Sequence, residues 1–337
     1  QYESMMVGWE ECVRRGKVWW QGSFMMIPCA VVLWFISASA EVPSLLVQAQ
    51  KSNTGADLMS VQFLTPQTGW AAGSGGTILK TTDGGKTWRK VASGTSNLLT
   101  SIFFADQQRG WVTGAGGTLR RTVDGGQTWS QIPLDVAQPL YRLSFASSTV
   151  SWVVGGDGTI LHTTDGGHRW VEQQSGTHAT LYAAHFVDER HGVVVGALGT
   201  ILTTEDGGAT WVAREAQGAV TFFDVFFTDP SNGWAVGNAG ALFQTSDGGR
   251  EWSDHSLPCG KSCTKLVDFL QVRFTGPQVG WIVGDRGALY RTTDAGFTWV
   301  PETAIAPVSL FGLSFVGSEH GWAVGAKGAI VHLQPAR

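Results

Sequence analysis

From about residue 58 onward, apolar and polar residues alternate in short bursts that return at a fixed spacing. In Leu99-Thr-Ser-Ile-Phe-Phe104, Gly110-Trp-Val-Thr-Gly114, Thr118-Leu-Arg-Arg-Thr122 and Trp129-Ser-Gln-Ile132 the pattern predicts four consecutive strands. The second strand of each unit opens on Gly-Trp or its nearest equivalent: Gly69-Trp70, Gly110-Trp111, Ser151-Trp152, Gly192-Val193, Gly233-Trp234, Gly280-Trp281 and Gly321-Trp322. Successive second members lie 41, 41, 41, 41, 47 and 41 residues apart. A unit of about 40 residues with four short strands buries its apolar faces only against its neighbours, which is the logic of a propeller blade. Seven units therefore predict one all-β, seven-bladed β-propeller instead of several independent domains.

The turn between third and fourth strands recurs with its own signature. Asp124-Gly-Gly-Gln-Thr-Trp129 has counterparts at Asp83, Asp165, Asp206, Asp247 and Asp294, each five residues before a tryptophan. Asp-Gly-Gly supplies the positive φ angles of a tight hairpin, and its carboxylate can accept from turn amides, so these six aspartates read as structural. The seventh unit ends without such a box or a fourth strand. In five of the six boxed repeats the box tryptophan stands eleven residues before the next inner strand; eleven before Leu58 lies Val47, in Ser44-Leu-Leu-Val-Gln-Ala-Gln50. Ser52-Asn-Thr54 also matches Ser93-Gly-Thr95 in register. Residues 41–52 are thus expected to supply the last blade's missing strand and close the ring, with 41–337 forming the propeller.

The first forty residues follow different rules. Arg14, Arg15 and Lys17 precede an apolar run from Phe24 to Ile36, and Ala38-Ser-Ala40 offers small residues for cleavage. That is the layout of a secretory signal peptide, or, lengthened by Val18, Trp19 and Trp20, of an uncleaved anchor. Export would place Cys259 and Cys263, in Pro-Cys-Gly-Lys-Ser-Cys, in an oxidising compartment, where a disulfide bracing a surface loop is the simplest reading. No further ligands stand nearby at metal-site spacing, so no metal and no cofactor is expected. The formal charge is −4. No basic field recommends nucleic acid as a partner.

Trp70-Ala-Ala-Gly-Ser-Gly-Gly-Thr-Ile-Leu-Lys-Thr-Thr-Asp-Gly-Gly-Lys-Thr-Trp88 resembles the repeat of the photosystem II stability and assembly factor family, and the resemblance extends from about Val42 to Leu333. It implies a seven-bladed propeller exported to the periplasm or thylakoid lumen, which binds newly made reaction-centre polypeptide without being an enzyme. The shorter box motif is similar to that of sialidases, xyloglucan-cleaving glycosidases and sortilin-type receptors. An exported glycosidase or sialidase-like enzyme is therefore the competing expectation.

Catalytic signatures are sparse. No Gly-x-Ser-x-Gly elbow or His-Glu-x-x-His helix is present. Tyr141 and Tyr182 occupy one repeat slot on successive inner strands, filled elsewhere by Met59, Thr100, Phe223, Leu270 and Phe311, and so read as core. All twelve tryptophans beyond the leader also fall in repeat slots, six after the glycine and six in the box, which favours packing over sugar stacking. Departures from the repeat are the better guide to function. Arg142, His185, Asp224 and Arg273 place polar groups at the third or fifth position of inner strands, facing the axis or an inter-blade network. The long connection near residue 258 adds Lys261 and Lys265. Three residues before each box aspartate stand Lys80, Arg121, His162, Thr203, Gln244 and Arg291, with Arg120 beside Arg121. The resemblance implies an arginine patch for the client, and Arg120, Arg121, Arg142, Asp224, Arg273, Lys261, Lys265 and Arg291 are the candidate client-binding residues. A protein client, a soluble domain held near a membrane and a monomeric state complete the expectation.

Overall fold

The computed structural model describes residues 45–215, 220–257, 267–302 and 307–335. The expected leader at 1–40 and the Cys259, Lys261, Cys263 and Lys265 loop lie outside them. The described residues form seven four-stranded antiparallel sheets. The first comprises Leu58–Phe63, Gly69–Gly73, Thr77–Thr81 and Arg89–Ala92, from the axis outward. Second strands are buried along their whole length, whereas the outermost strand of this blade is largely exposed. In the seventh blade Leu310–Val316, His320–Gly325 and Ile330–Pro335 are joined by Leu45–Gln50, with Val47 opposite Leu333. The amino-terminal segment thus closes the ring as the repeat arithmetic expects, and Leu45 and Val47 pack against that blade's core. Ser52 also repeats the local turn of its sequence counterpart: its Oγ donates to the Thr54 carbonyl at 3.3 Å, as Ser93 Oγ does to Thr95 at 3.0 Å.

Every inner strand carries a register shift between its first and third residues. A bulge of this kind twists the strand and re-aims the side chains that follow it. Inner strands expose a row of unpaired backbone groups toward the next blade, and these need partners. Ser60 Oγ accepts from the Ile102 N–H at 3.2 Å, Ser101 Oγ from Leu143 at 3.4 Å, and Gln271 Oε1 from Leu313. Two positions further, Ser144 Oγ accepts from Phe186 at 3.2 Å and Ser314 Oγ from Phe63 at 2.9 Å. Third- or fifth-position side chains therefore peg the first blade to the second, the second to the third, the third to the fourth, the sixth to the seventh and the seventh to the first.

Tryptophan layers fill the space between blades. Trp70 stacks on Phe104 of the next blade at 3.7 Å, Trp152 on Phe186 at 3.4 Å, and Trp322 on Phe63 at 3.5 Å. Trp88, Trp129, Trp211, Trp252 and Trp299 of the boxes meet the same kind of phenylalanine edge-on, as Trp88 meets Phe63 at 5.7 Å. The glycine of Gly-Trp follows from this packing, because a Cβ on Gly69 would lie 2.6 Å from the Phe63 ring. Blade three carries Ser151 there, and its Phe145 instead tilts against Trp111 and stacks on Phe103 at 4.1 Å.

The boxes close on themselves. Thr81 Oγ1 donates to Asp83 Oδ1 at 2.8 Å, while Thr87 donates its N–H to Oδ1 at 2.9 Å and its hydroxyl to Oδ2 at 2.6 Å. The same threonine and amide donors recur at Asp124, Asp165, Asp206, Asp247 and Asp294. Donation by Thr87 and Thr81 holds the Asp83 carboxyl down at about 2, and Thr210 and Thr204 do the same for Asp206. These carboxylates are turn anchors.

Candidate functional site in the central channel

The seven inner strands enclose a channel cavity of about 380 Å³. Its one carboxylate among the described lining residues and their charge partners is Asp224, which is 1% exposed and sits at the third position of its strand. Arg142 Nη2 reaches Asp224 Oδ1 at 2.7 Å and Arg273 Nη1 reaches Oδ2 at 2.6 Å. Oδ2 also accepts from the Val272 N–H at 3.1 Å, the peg position that serine fills in other blades. Arg142 comes from blade three and Asp224 from blade five. The strand between them has Ala183 at the same position, and this short side chain leaves the span clear.

Two guanidinium groups share one carboxylate, so the cluster carries one excess positive charge. His185 borders the same cavity but adds none near neutrality: burial, then the neighbouring Arg273, hold its imidazole down at about 4, despite an opposing pull from Asp224. Arg273 lies across the Phe226 ring at 5.6 Å and also donates to the Val272 carbonyl at 2.6 Å, which fixes its head at the cavity wall. Arg142 and Arg273 side chains keep 17% and 23% exposure. An anion entering the channel would meet donors already oriented and largely stripped of water, the arrangement in which a charged hydrogen bond is strong.

Sequence reasoning picked out these four residues as exceptions to the repeat, and the structure brings them together. It separates the others. Arg121 lies over the Trp111 ring at 5.6 Å and Arg291 over Trp281 at 5.0 Å, with Arg291 9% exposed. Lys80 covers Trp70 at 5.4 Å and donates to the Gly125 carbonyl at 2.8 Å; His162 and His332 stack on Trp152 and Trp322 at 4.8 and 4.7 Å. The basic members of this series therefore cap the indole layer, because Lys80, Arg121, His162 and Arg291, like His332 in the seventh blade, are the cross-strand neighbours of their blades' tryptophans. Arg120 points the other way and donates to the Trp129 carbonyl at 2.9 Å and to Gln131 at 3.1 Å. What the sequence could have shown is the two-strand offset of ten residues that pairs Trp70 with Lys80 in every blade.

Tyr141 and Tyr182, expected as core, are half-buried; their rings lie 5.1 Å apart, and neither is among the residues lining the channel cavity. Among the described residues no group of three or more His, Cys, Asp or Glu side chains could hold a metal ion, and no helix is long and apolar enough to cross a membrane.

The sequence profile of the photosynthesis system II assembly factor YCF48 matches the chain over residues 39–139, 86–175, 169–221, 215–301 and 260–334. Comparison with curated proteins gave no match. Similar solved structures include YCF48 from Cyanidioschyzon merolae, at 21% identity and a TM-score of 0.71, covering 86% of this chain and 98% of that one. YCF48 bound to D1 peptide is similar at 23% identity and a TM-score of 0.73, covering 89% and 100%. The GH74 xyloglucanase from Xanthomonas campestris is similar at 16% identity and a TM-score of 0.68, covering 85% of this chain and 53% of the enzyme. At these identities the structural likeness establishes the propeller fold.

Proposed function

Because this chain belongs to the photosynthesis system II assembly factor YCF48 family, we propose that it is a non-catalytic scaffold whose channel receives an anionic group of a polypeptide client. The observation that carries this reading is the cluster in which Arg142 and Arg273 share Asp224, leaving one positive charge at the wall of an open cavity. One similar protein has a D1 peptide bound, and in a photosynthetic host the client proposed here is the corresponding reaction-centre polypeptide. Glycoside cleavage by the usual route needs two carboxyl groups roughly 5 to 10 Å apart. Asp224 has no such companion among the described lining residues, and both its oxygens are engaged by arginine, which argues against the enzyme reading.

The leader pattern supports work in the periplasm or thylakoid lumen, tethered near or released from the membrane, and a monomeric state is proposed with it. Fractionation of the host and light scattering of the purified protein test those two points.

Binding of a labelled D1 peptide, followed by fluorescence anisotropy at low and high salt, tests the reading itself. Affinity should fall as salt rises. Arg142→Ala with Arg273→Ala should weaken it by about tenfold or more, the effect of losing a charge-assisted hydrogen bond. Capture that is indifferent to salt and to the double substitution would overturn the proposal, and turnover of an aryl glycoside by the parent protein would favour the enzyme.

A further inference from the structure

The indole layer is interrupted once. Between blades four and five the slot filled by tryptophan in the six other blades holds Val193, and its cross-strand neighbour, a long or ring-bearing side chain elsewhere, is Thr203. Both substitutions shorten the same stack, while Phe227, the phenylalanine that would receive the indole, keeps its place with its box partner Trp252 edge-on at 6.2 Å. The outcome is a cavity of about 120 Å³ bounded by Val193, Thr203, Phe227 and Gly248, with His191 and Arg250 at its rim. His185 borders both this cavity and the central channel.

What the cavity would accept follows from what its sister sites hold. Trp70 and Trp152 each lay the indole face on phenylalanine and donate the ring N–H to a box carbonyl, of Gly125 and Gly207, at 3.2 Å. Each acceptor stands 55 residues after its tryptophan, and Gly248 stands in the same relation to Val193. The Phe227 face and the Gly248 carbonyl therefore reproduce the two recognition elements of an indole site without the indole. A saturated hydrocarbon would fill the volume but leave the carbonyl unused.

We propose that the cavity between blades four and five is a binding site for one indole-type ring, stacked on Phe227 and donating its N–H to the Gly248 carbonyl. The ring can arrive as a free small molecule or on a tryptophan side chain of a bound polypeptide; the recognising chemistry is the same. The inference stands apart from the channel cluster and from the identity of any client.

Saturation-transfer NMR on the full chain, with indole at a concentration near the affinity of about 1 mM expected for so small a ligand, tests it. Transfer to indole should be clear in the parent protein and reduced at least about fivefold in Val193→Trp, since the chain's own ring then occupies the site. Thr203→Arg, which lays a long side chain across the same opening, is the second variant in case Val193→Trp does not fold. 1-Methylindole, lacking the donor, should bind about three- to tenfold more weakly. N-acetyltryptophanamide separates the sources: transfer to both compounds supports a side chain carried by polypeptide, and transfer to indole alone supports a small molecule. Absence of transfer to indole, or transfer unchanged in the folded variants, would overturn the proposal.

Discussion

Asp224 is where the packing of the propeller and its binding chemistry meet, and replacing it by alanine puts both to the test. The substitution removes one carboxylate that is 1% exposed and strands Arg142, Arg273 and the Val272 N–H together. Removing one partner of a buried ion pair costs about 3–5 kcal/mol, mostly because the remaining charge is left without compensation. Here both arginines keep about a fifth of their surface open to the cavity, so water recovers part of that cost. The orphaned backbone donor adds about 1 kcal/mol or more. The expected loss is therefore about 3–4 kcal/mol at pH 7, read as a lower urea midpoint at unchanged slope by tryptophan fluorescence. Asp224→Asn keeps an acceptor for Val272 and should lose less. Replacing the whole cluster, with Arg142→Met, Asp224→Leu and Arg273→Met together, should recover most of the stability while abolishing salt-dependent client binding. A loss below about 1 kcal/mol for Asp224→Ala would mean that the cluster behaves as an ordinary solvated pair, and the argument for a pre-organised anion site would fail with it.

Three further outcomes are expected. Deleting residues 41–52 removes the strand that pairs with Ile330–Pro335 and should lower the melting midpoint; an unchanged midpoint would refute closure of the ring by that strand. Acid should destabilise the protein in two stages. The His185 imidazole is held at about 4, below the ordinary 6.5 of the unfolded chain, so between those values only the unfolded state gains a proton and stability falls as pH falls. Box carboxyls such as Asp83 and Asp206, held at about 2, extend the decline between about pH 4 and 2, and His185→Gln should flatten only the upper stage of a pH series of urea midpoints. Finally, Leu198 is 84% exposed in a turn with φ 57°, where the corresponding residues of the first two blades are Gly75 and Gly116. A bulky side chain in that region costs about 1–2 kcal/mol, so Leu198→Gly should stabilise by about 0.5–1 kcal/mol; a lowered midpoint would show that Leu198 makes contacts its exposure hides.

The four exceptions at third and fifth inner-strand positions were legible because the repeat supplies its own control: six other blades show what each slot holds when it only packs. Their union around Asp224 was not legible, since Arg142 must pass over an intervening blade to reach it, and linear sequence does not encode the angle between blades. The capping role of Lys80, Arg121 and Arg291 escaped for a related reason. Seen as a column of residues they form a charged series, and only strand register sets them on tryptophan faces.

Periodicity alone determined the blade count, the hairpin boxes, the burial of the tryptophans and the strand that closes the ring, because each of these depends on contacts that every unit repeats with its neighbour. Tertiary structure alone decided where charge and space accumulate. A channel cluster needs side chains from three blades to converge, and a cavity forms only where Val193 and Thr203 shorten two layers of one stack at once. Both depend on distances across the ring, which a repeat leaves free to vary while its local pattern is kept.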